Sequence, residues 1–150
     1  MKLKKRIFVT SGDSGIGKSI VKKLTDEGYK VVFTYRSKKS YALEIANDIN
    51  QKGGCCLCFY CDVRHHESLN NLCSSLIKSH GAPYGIINNS GMKNDKLLIN
   101  TEFKDWQEII DTNLNGPFYA IRSLLPSMIN VGDGCVITIS SVSALRGNVG

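Results

Sequence analysis

Short apolar runs alternate along the chain with segments in which apolar side chains recur every three or four residues. The runs are rich in β-branched and aromatic residues, which is typical of β-strands. The segments between them are typical of amphipathic helices. Strands are predicted at 6–10, 30–35, 55–61, 84–88 and 135–140. Helices are predicted at 15–27, 41–51, 66–80 and about 102–129.

The last of these helical segments contains Gly116 and Pro117 near its middle. Proline has no N–H to donate to the helical hydrogen-bond ladder, and its ring crowds the preceding turn. We therefore expect either a kink or two separate helices at this point.

Strands that are apolar throughout, alternating with amphipathic helices, predict a parallel sheet covered on both faces. The expected fold class is α/β, a Rossmann-type doubly wound parallel sheet. Ligands of such sheets bind outside the carboxyl ends of the strands. The polar and glycine-rich residues of this chain follow the predicted strands, at Ser11–Gly17, Arg36, Asp62, Asn88–Gly91 and Ser140–Ser141.

Length and composition predict one soluble domain over residues 1–150, with 42% hydrophobic and 21% charged residues. No apolar run approaches the ~20 residues of a membrane span. After the basic start, the apolar stretch is only Ile7–Val9, which is too short for a signal peptide. We therefore expect a cytoplasmic protein without a membrane partner.

The net charge of +6 fits either an acidic partner or an ordinary solvated surface. The basic residues are spread along the chain, and no basic stretch is interleaved with aromatic residues. The pattern therefore favours a solvated surface and predicts no nucleic-acid partner.

Six cysteines are present, and four of them crowd into "CCLCFYC" at 55–61. Cys55, Cys58 and Cys61 have the C-x-x-C spacing of metal ligands. However, residues three apart on a strand point to opposite faces and cannot close a tetrahedron. We therefore predict small buried thiols in a buried strand, and no metal site.

The stretch "VTSGDSGIGKSI" at 9–20 fits two phosphate-binding patterns. Gly12 to Ser19 satisfies the triphosphate loop G-x-x-x-x-G-K-[ST], in which Lys18 would reach the phosphates and Ser19 would hold magnesium. Thr10 to Gly17 lies one residue from the dinucleotide pattern T-G-x-x-x-G-x-G. Both use a glycine-rich turn that presents backbone N–H groups and a helix N-terminus to phosphate.

The later segments favour the second pattern. The chain resembles the short-chain dehydrogenase/reductase family, and within it the 3-oxoacyl-[acyl-carrier-protein] reductases. The resemblance covers essentially all 150 residues. It is carried by "TSGDSGIG" (10–17), "CDV" (61–63), "NNSG" (88–91), "GMKNDKLL" (91–98), Trp106, "DTNLNGPF" (111–118) and "ISSVSALRGNVG" (139–150).

The resemblance implies a dinucleotide site. The cofactor-binding residues it implies are Ser11, Gly12, Asp13, Ser14, Gly15, Ile16, Gly17, Arg36, Asp62, Val63, Asn89, Ser90 and Gly91. Two positions depart from the family pattern, because Ser11 replaces the first glycine and Ser90 replaces an alanine. Arg36 suits the 2′-phosphate of NADP rather than the ribose hydroxyl of NAD, so NADP(H) is the expected cofactor.

The resemblance also implies a reaction. Ser141 matches the catalytic serine, and Asn113 matches the asparagine that holds a water in the proton relay. The implied activity is NADPH-dependent reduction of a 3-oxoacyl thioester on acyl carrier protein to the 3-hydroxyacyl form, by a homotetramer. The family's Tyr-x-x-x-Lys pair follows the serine by roughly a dozen residues. We expect the chain to be a truncated part of a longer enzyme that is inactive by itself.

Two alternatives stay open at this point. The chain could be a non-catalytic NADP-binding or scaffold homologue, which the Ser11 substitution and the missing Tyr/Lys pair motivate. It could instead be a P-loop nucleotide triphosphatase, which the match at Gly12 to Ser19 motivates.

Overall fold

The structure is a computed structural model that describes residues 5–147. The predictions for the first four residues and for 148–150 lie outside the described residues. The strands are β1 (Arg6–Val9), β2 (Lys30–Tyr35), β3 (Cys55–Tyr60), β4 (Gly85–Asn88) and β5 (Cys135–Thr138). The helices are α1 (Gly15–Asp26), α2 (Lys39–Gln51), α3 (His66–His80), α4 (Phe103–Ile110) and α5 (Gly116–Val131).

All neighbouring strands run parallel, in the order β3-β2-β1-β4-β5. The order changes direction at β1, where the chain crosses from the β2 side of the sheet to the β4 side. Parallel strands bring all their carboxyl ends to one edge, and the gap between the loops after β1 and β4 is where doubly wound sheets bind ligands.

Side chains of each strand alternate between two cores. Ile7 and Val9 of β1 pack with α1 and α2 on one face, and Phe8 packs with α3 and α5 on the other. The sheet is therefore covered on both faces, which confirms the doubly wound α/β prediction.

The prediction of a buried strand at 55–61 is wrong in part. Leu57 and Tyr60 of β3 are 37% and 60% exposed. The reason is the strand order, since β3 is an edge strand with one paired side. The apolar pattern of a strand does not by itself encode its place in a sheet.

The predicted break in the long helical segment is present, but it takes the form of a π-helical turn at Asp111–Asn115 between α4 and α5. Pro117 lies in the first turn of α5, where a proline is tolerated. Gly116 allows the start of α5 to pack closely against Val63, in the loop after β3. A Cβ on Gly116 would lie 2.8 Å from Val63 Cγ2.

Among residues 5–147, no helix combines the length and the apolar character needed to cross a membrane.

Candidate cofactor site

A cavity of about 340 Å³ opens at the carboxyl edge of the sheet, between the loops that follow β1, β2, β3 and β4. Most of the residues that the sequence predicts for cofactor binding line this one cavity. They are Ser11, Asp13, Ser14, Ile16, Arg36, Asp62, Val63, Asn89, Ser90 and Gly91. Residues that are more than 50 positions apart in the chain thus meet as predicted, while their binding role stays a prediction.

Ser11 makes the sharp turn after β1 with a left-handed backbone, at φ +52°. The strain of this turn thus falls on Ser11 itself, the residue that replaces the first glycine of the family pattern. A left-handed backbone costs a residue with a Cβ about 1–2 kcal/mol. Two bonds to its backbone hold this turn, because Ser11 N–H donates to Thr34 Oγ1 at 3.1 Å and the Ser11 carbonyl accepts from Asn89 Nδ2 at 2.9 Å.

The two glycines that flank the loop are required by close packing. A Cβ on Gly12 would lie 2.5 Å from Phe33 Cβ and 2.8 Å from Val21 Cγ2, so Gly12 lets the loop lie on β2 and α1. A Cβ on Gly17 would fall on the Ser11 carbonyl oxygen and 2.5 Å from Asn89 Nδ2. The first turn of α1 therefore packs directly against the loop backbone.

The loop after β4 is fastened to the loop after β1. Thr10 Oγ1 accepts from the backbone N–H groups of Asn89 and Ser90, at 3.0 and 2.9 Å. Asn89 Nδ2 donates in return to the Thr10 carbonyl at 3.1 Å. The two walls of the cavity are thus held at a fixed distance by the buried side chain of Thr10 and by Asn89.

The N-terminus of α1 borders the cavity. Ser14 precedes the helix with an extended backbone, and its side chain makes no capping bond. The first N–H groups of a helix lack helical partners and favour an anion at this end. Asp13 and Ile16 also line the cavity, with Asp13 only 7% exposed and Ile16 63% exposed. Ile16 faces the cleft, although its helical spacing groups it with the core residues of α1.

Lys18 lies away from this cavity. Its Nζ hydrogen-bonds the Tyr41 hydroxyl on α2 and stands 4.5 Å from the centre of that ring. Ser19 Oγ donates back to the Gly15 carbonyl at 3.4 Å. Because the triphosphate pattern requires both side chains at the phosphates, this geometry argues against a P-loop nucleotide triphosphatase.

Three consecutive residues after β2 line the cavity, namely Arg36, Ser37 and Lys38. Arg36 and Lys38 are exposed, so their charged groups are available to a ligand. The sequence singled out Arg36 alone. The run of polar residues at 36–40 could also have pointed to Ser37 and Lys38 as cavity residues.

Asp62 lies near the start of the loop between β3 and α3 and is held by Arg64. The Arg64 guanidinium donates from Nε to Oδ1 and from a terminal nitrogen to Oδ2, at 3.0 and 2.6 Å, and its backbone N–H donates to Oδ1 at 3.1 Å. Burial opposes the charge of this carboxylate, but the bonds from Arg64 outweigh burial and hold the pKa of Asp62 below its ordinary value. No motif in the sequence predicts that Arg64 pairs with Asp62.

This lowered pKa predicts an acid-dependent loss of stability. A carboxyl group whose folded pKa lies below its unfolded value stabilises the fold above the unfolded pKa, about 3.9, and the gain disappears as the pH falls through the folded pKa. The free energy of unfolding, measured with urea from pH 5.5 down to pH 2.5, should fall more steeply in the unsubstituted chain than in Asp62→Asn. Asp26→Asn, at an exposed site on α1, should leave the steepness unchanged. Equal slopes for all three proteins would contradict the assignment.

Asn113 lies within the π-helical turn and is fixed to the loop after β4. Its Oδ1 accepts from Met92 N–H at 2.9 Å, and its Nδ2 donates to the Met92 carbonyl at 2.8 Å. Both ends of the side-chain amide are therefore engaged by backbone. In this structure the side chain positions the loop, and the predicted water in a proton relay is untested.

Ser141 begins a short 3₁₀ turn at Val142–Ala144, just beyond β5. Its Oγ accepts from Ser143 N–H at 3.2 Å, which uses a lone pair and leaves the O–H able to donate. Ser141 and Asn113 are both absent from the cavity lining described above. The structure thus brings the predicted cofactor residues together and places Asn113 beside them through its bonds to Met92, which lines the cavity. The side-chain bond of Ser141 joins it to Ser143 and not to a cavity residue.

The cysteines divide by their place in the sheet. Burial raises the pKa of the Cys56 and Cys73 thiols to about 12 and that of Cys61 to about 11, so these side chains remain protonated and apolar. Cys55 is exposed, so the prediction of buried thiols in the strand at 55–61 is wrong for this residue, because it lies on the edge strand β3. Within residues 5–147, no three metal-ligating side chains come together.

The fold and this cavity are those of a Rossmann-like nucleotide-binding architecture. Comparison with known families is more specific, because the model of the family described as short chain dehydrogenase matches residues 5–150. The chain belongs to the short-chain dehydrogenase family.

Relatives and a solved structure agree with this assignment. The chain is 32% identical over 150 residues to a 3-oxoacyl-[acyl-carrier-protein] reductase of Staphylococcus aureus, covering all of this chain and 61% of the relative. It is 34% identical over 143 residues to the reductase of that name from Buchnera aphidicola, covering 95% of this chain and 57% of the relative. A mutant short-chain dehydrogenase/reductase of Serratia marcescens superposes with a TM-score of 0.91 at 29% identity, covering 97% of this chain and 59% of that one. The chain thus spans about three fifths of the length of these relatives.

Proposed function

We propose that the cavity binds a nicotinamide dinucleotide, and that NADP(H) is preferred over NAD(H). The observation that carries the proposal is the loop between β1 and α1, where Gly17 leaves no room for a Cβ and the N-terminus of α1 faces the cavity. A backbone cradle of this kind, at the N-terminus of a helix, suits a pyrophosphate. Family membership supports the same cofactor class.

The preference for NADP(H) rests on charge at the far end of the cavity. Arg36 and Lys38 line it, with Ser37 between them as a hydrogen-bond donor. Two cations and a hydroxyl suit a 2′-phosphate, and an arginine binds phosphate oxygens through paired N–H groups. Asp13 also lines the cavity, and its carboxylate disfavours a phosphate that comes close to it. Arg36 and Lys38 together outweigh this single carboxylate, so the charge of these three side chains still favours a phosphate.

Substituting Arg36 tests this preference. Arg36→Gln removes one positive charge from the 2′-phosphate region and should weaken NADPH binding about tenfold, equivalent to about 1.4 kcal/mol, while NADH binding changes less than twofold. The matched control is Lys22→Gln, which removes one charge from an exposed site on α1 outside the cavity lining. Nicotinamide fluorescence titration measures the dissociation constants for NADPH and NADH, and their ratio gives the preference for NADP(H). An unchanged ratio in Arg36→Gln, or an equal change in the control, would contradict the assignment.

We propose further that the protein to which this chain belongs is an oxidoreductase that reduces a 3-oxoacyl thioester carried by acyl carrier protein to the 3-hydroxyacyl form, as a homotetramer in the cytoplasm. The names of the relatives support this substrate class. When bound, a reduced nicotinamide supplies a hydride to a carbonyl carbon. The carbonyl oxygen then gains negative charge, a waiting hydrogen-bond donor stabilises it, and the tyrosine of the Tyr-x-x-x-Lys pair that the resemblance implies would supply the proton that completes the hydroxyl.

The roles of the chain's own residues in that chemistry follow from the bonds they make. The Ser141 hydroxyl accepts from Ser143 N–H, which leaves its O–H able to donate to the carbonyl oxygen. Asn113 holds the backbone of Met92 and so shapes the loop after β4 beside the cavity. In the full-length protein, Ser141→Ala should lower kcat at least a hundredfold with NADPH affinity unchanged. A variant that retains its kcat would exclude Ser141 as the donor.

A further inference from the structure

The two departures from the family pattern, Ser11 and Ser90, touch each other. Their hydroxyl oxygens are 2.7 Å apart and share one hydrogen bond between the loop after β1 and the loop after β4. Both residues line the cavity. They are 79 positions apart in the chain, so neither substitution by itself reveals the other.

Ser11 needs such a partner because its backbone is left-handed, at φ +52°. Glycine adopts this conformation readily, whereas a residue with a Cβ does so only when its surroundings hold it there. Among the residues described, Ser11 is the only non-glycine with a positive φ. A bond to the Ser11 side chain adds to the two bonds that hold its backbone.

Ser90 is well placed to act as that partner because its own backbone is anchored. Ser90 N–H donates to Thr10 Oγ1 at 2.9 Å, next to Ser11 in the chain. The hydroxyl pair and this bond therefore close a small ring through Thr10, Ser11 and Ser90. The ring fixes the Ser11 carbonyl, and it is this oxygen that the first turn of α1 packs against at Gly17.

We propose that Ser11 and Ser90 are a coupled pair of positioning residues, in which the Ser90 hydroxyl holds Ser11 in the turn that glycine would adopt unaided and so sets the phosphate loop for the pyrophosphate. The part that concerns the pyrophosphate rests on the proposed function. The part that concerns the turn does not, because the hydroxyl pair and the left-handed backbone of Ser11 involve the protein's own atoms alone.

Coupling predicts that the effect of losing the Ser90 hydroxyl depends on the residue at position 11. Ser90→Ala should weaken NADPH binding about fivefold in the unsubstituted chain, and less than twofold in the Ser11→Gly background, where no strained turn remains to be held. Ser11→Ala keeps the Cβ and loses the hydroxyl, so it should weaken binding, whereas Ser11→Gly, which adopts the turn unaided, should not. Ser90→Thr keeps a hydroxyl and should retain most of the affinity.

The test is a double-mutant cycle on the full chain, made of Ser11→Gly, Ser90→Ala and the double variant, with Ser11→Ala and Ser90→Thr alongside. Urea unfolding without ligand measures the coupling in the turn. Dissociation constants for 2′-phospho-ADP-ribose and for adenosine 2′-phosphate separate the two ligand ends, since only the first carries a pyrophosphate. We expect coupling in unfolding, and coupling in the affinity of 2′-phospho-ADP-ribose but not of adenosine 2′-phosphate.

Equal effects of Ser90→Ala in both backgrounds, in unfolding and in binding, would overturn the proposal. Coupling in unfolding with equal losses for both ligands would support a role in the turn and overturn the role at the pyrophosphate. If the unsubstituted chain binds neither ligand, the proposed function fails together with the pyrophosphate role, and the unfolding cycle still decides whether the pair holds the turn.

Discussion

Gly17→Ala should abolish measurable NADPH binding and lower the free energy of unfolding by about 3 kcal/mol, near the upper end of the usual cost of overpacking. The added Cβ would fall on the Ser11 carbonyl oxygen and 2.5 Å from Asn89 Nδ2. To relieve these contacts, α1 must move away from the loop, or Asn89 must release the two carbonyls it bonds. Either movement loosens the contacts that hold the loop after β1 and so disrupts the proposed pyrophosphate site. Fluorescence titration and urea unfolding of the same preparation measure both effects.

The matched control is Gly91→Ala, in the same cavity. A Cβ there would lie 3.7 Å from Asn113 Oδ1, which is ordinary contact, and no positive φ is involved. Because Gly91 lines the cavity, this control concerns stability alone, and we expect a loss of less than about 1 kcal/mol in the free energy of unfolding. If Gly17→Ala were as mild as Gly91→Ala, the tight packing of α1 on the phosphate loop would be disproved.

Leu69→Ala should lower the free energy of unfolding by about 2–5 kcal/mol, the usual cost of truncating a large buried side chain. Leu69 is 0% exposed and lies in the core between the sheet, α3 and α5. This core supports the loop that carries Asp62, because α3 follows that loop directly. Urea unfolding followed by circular dichroism measures the loss.

Leu43→Ala is the control, since Leu43 lies on α2 and is 43% exposed. It should lose less than about 1 kcal/mol, because a large part of that residue remains in water in the folded state as well. Equal losses for the two variants would mean that the α3 layer is not the packed core described here.

The arrangement of the core follows from periodicity, whereas the edges of the sheet do not. The apolar runs of β1 and β2 alternate with helices, and that pattern predicts the parallel, doubly wound sheet correctly. The run at 55–61 is equally apolar and belongs to an edge strand. Strand order depends on long-range pairing, which a local pattern does not contain. For the same reason, Cys55 is exposed rather than buried.

The site was predicted where residue type alone carries the chemistry. Arg36 and the glycine-rich loop are recognisable because few residue types can bind phosphate or make such a turn. The bonds that shape the site were not predictable, since Arg64 on Asp62 and Ser90 on Ser11 depend on side-chain direction. The π-helical turn was foreseen only as a break, because proline predicts an interruption but not its geometry.

The most direct test of the proposed function is calorimetric titration of the full chain with NADPH, NADH and ATP–magnesium. We expect saturable binding of one NADPH per chain, at least tenfold tighter than NADH, and no saturable binding of ATP–magnesium. Equal affinities for the two dinucleotides would contradict the preference for NADP(H). Saturable ATP–magnesium binding without NADPH binding would contradict the dinucleotide site itself.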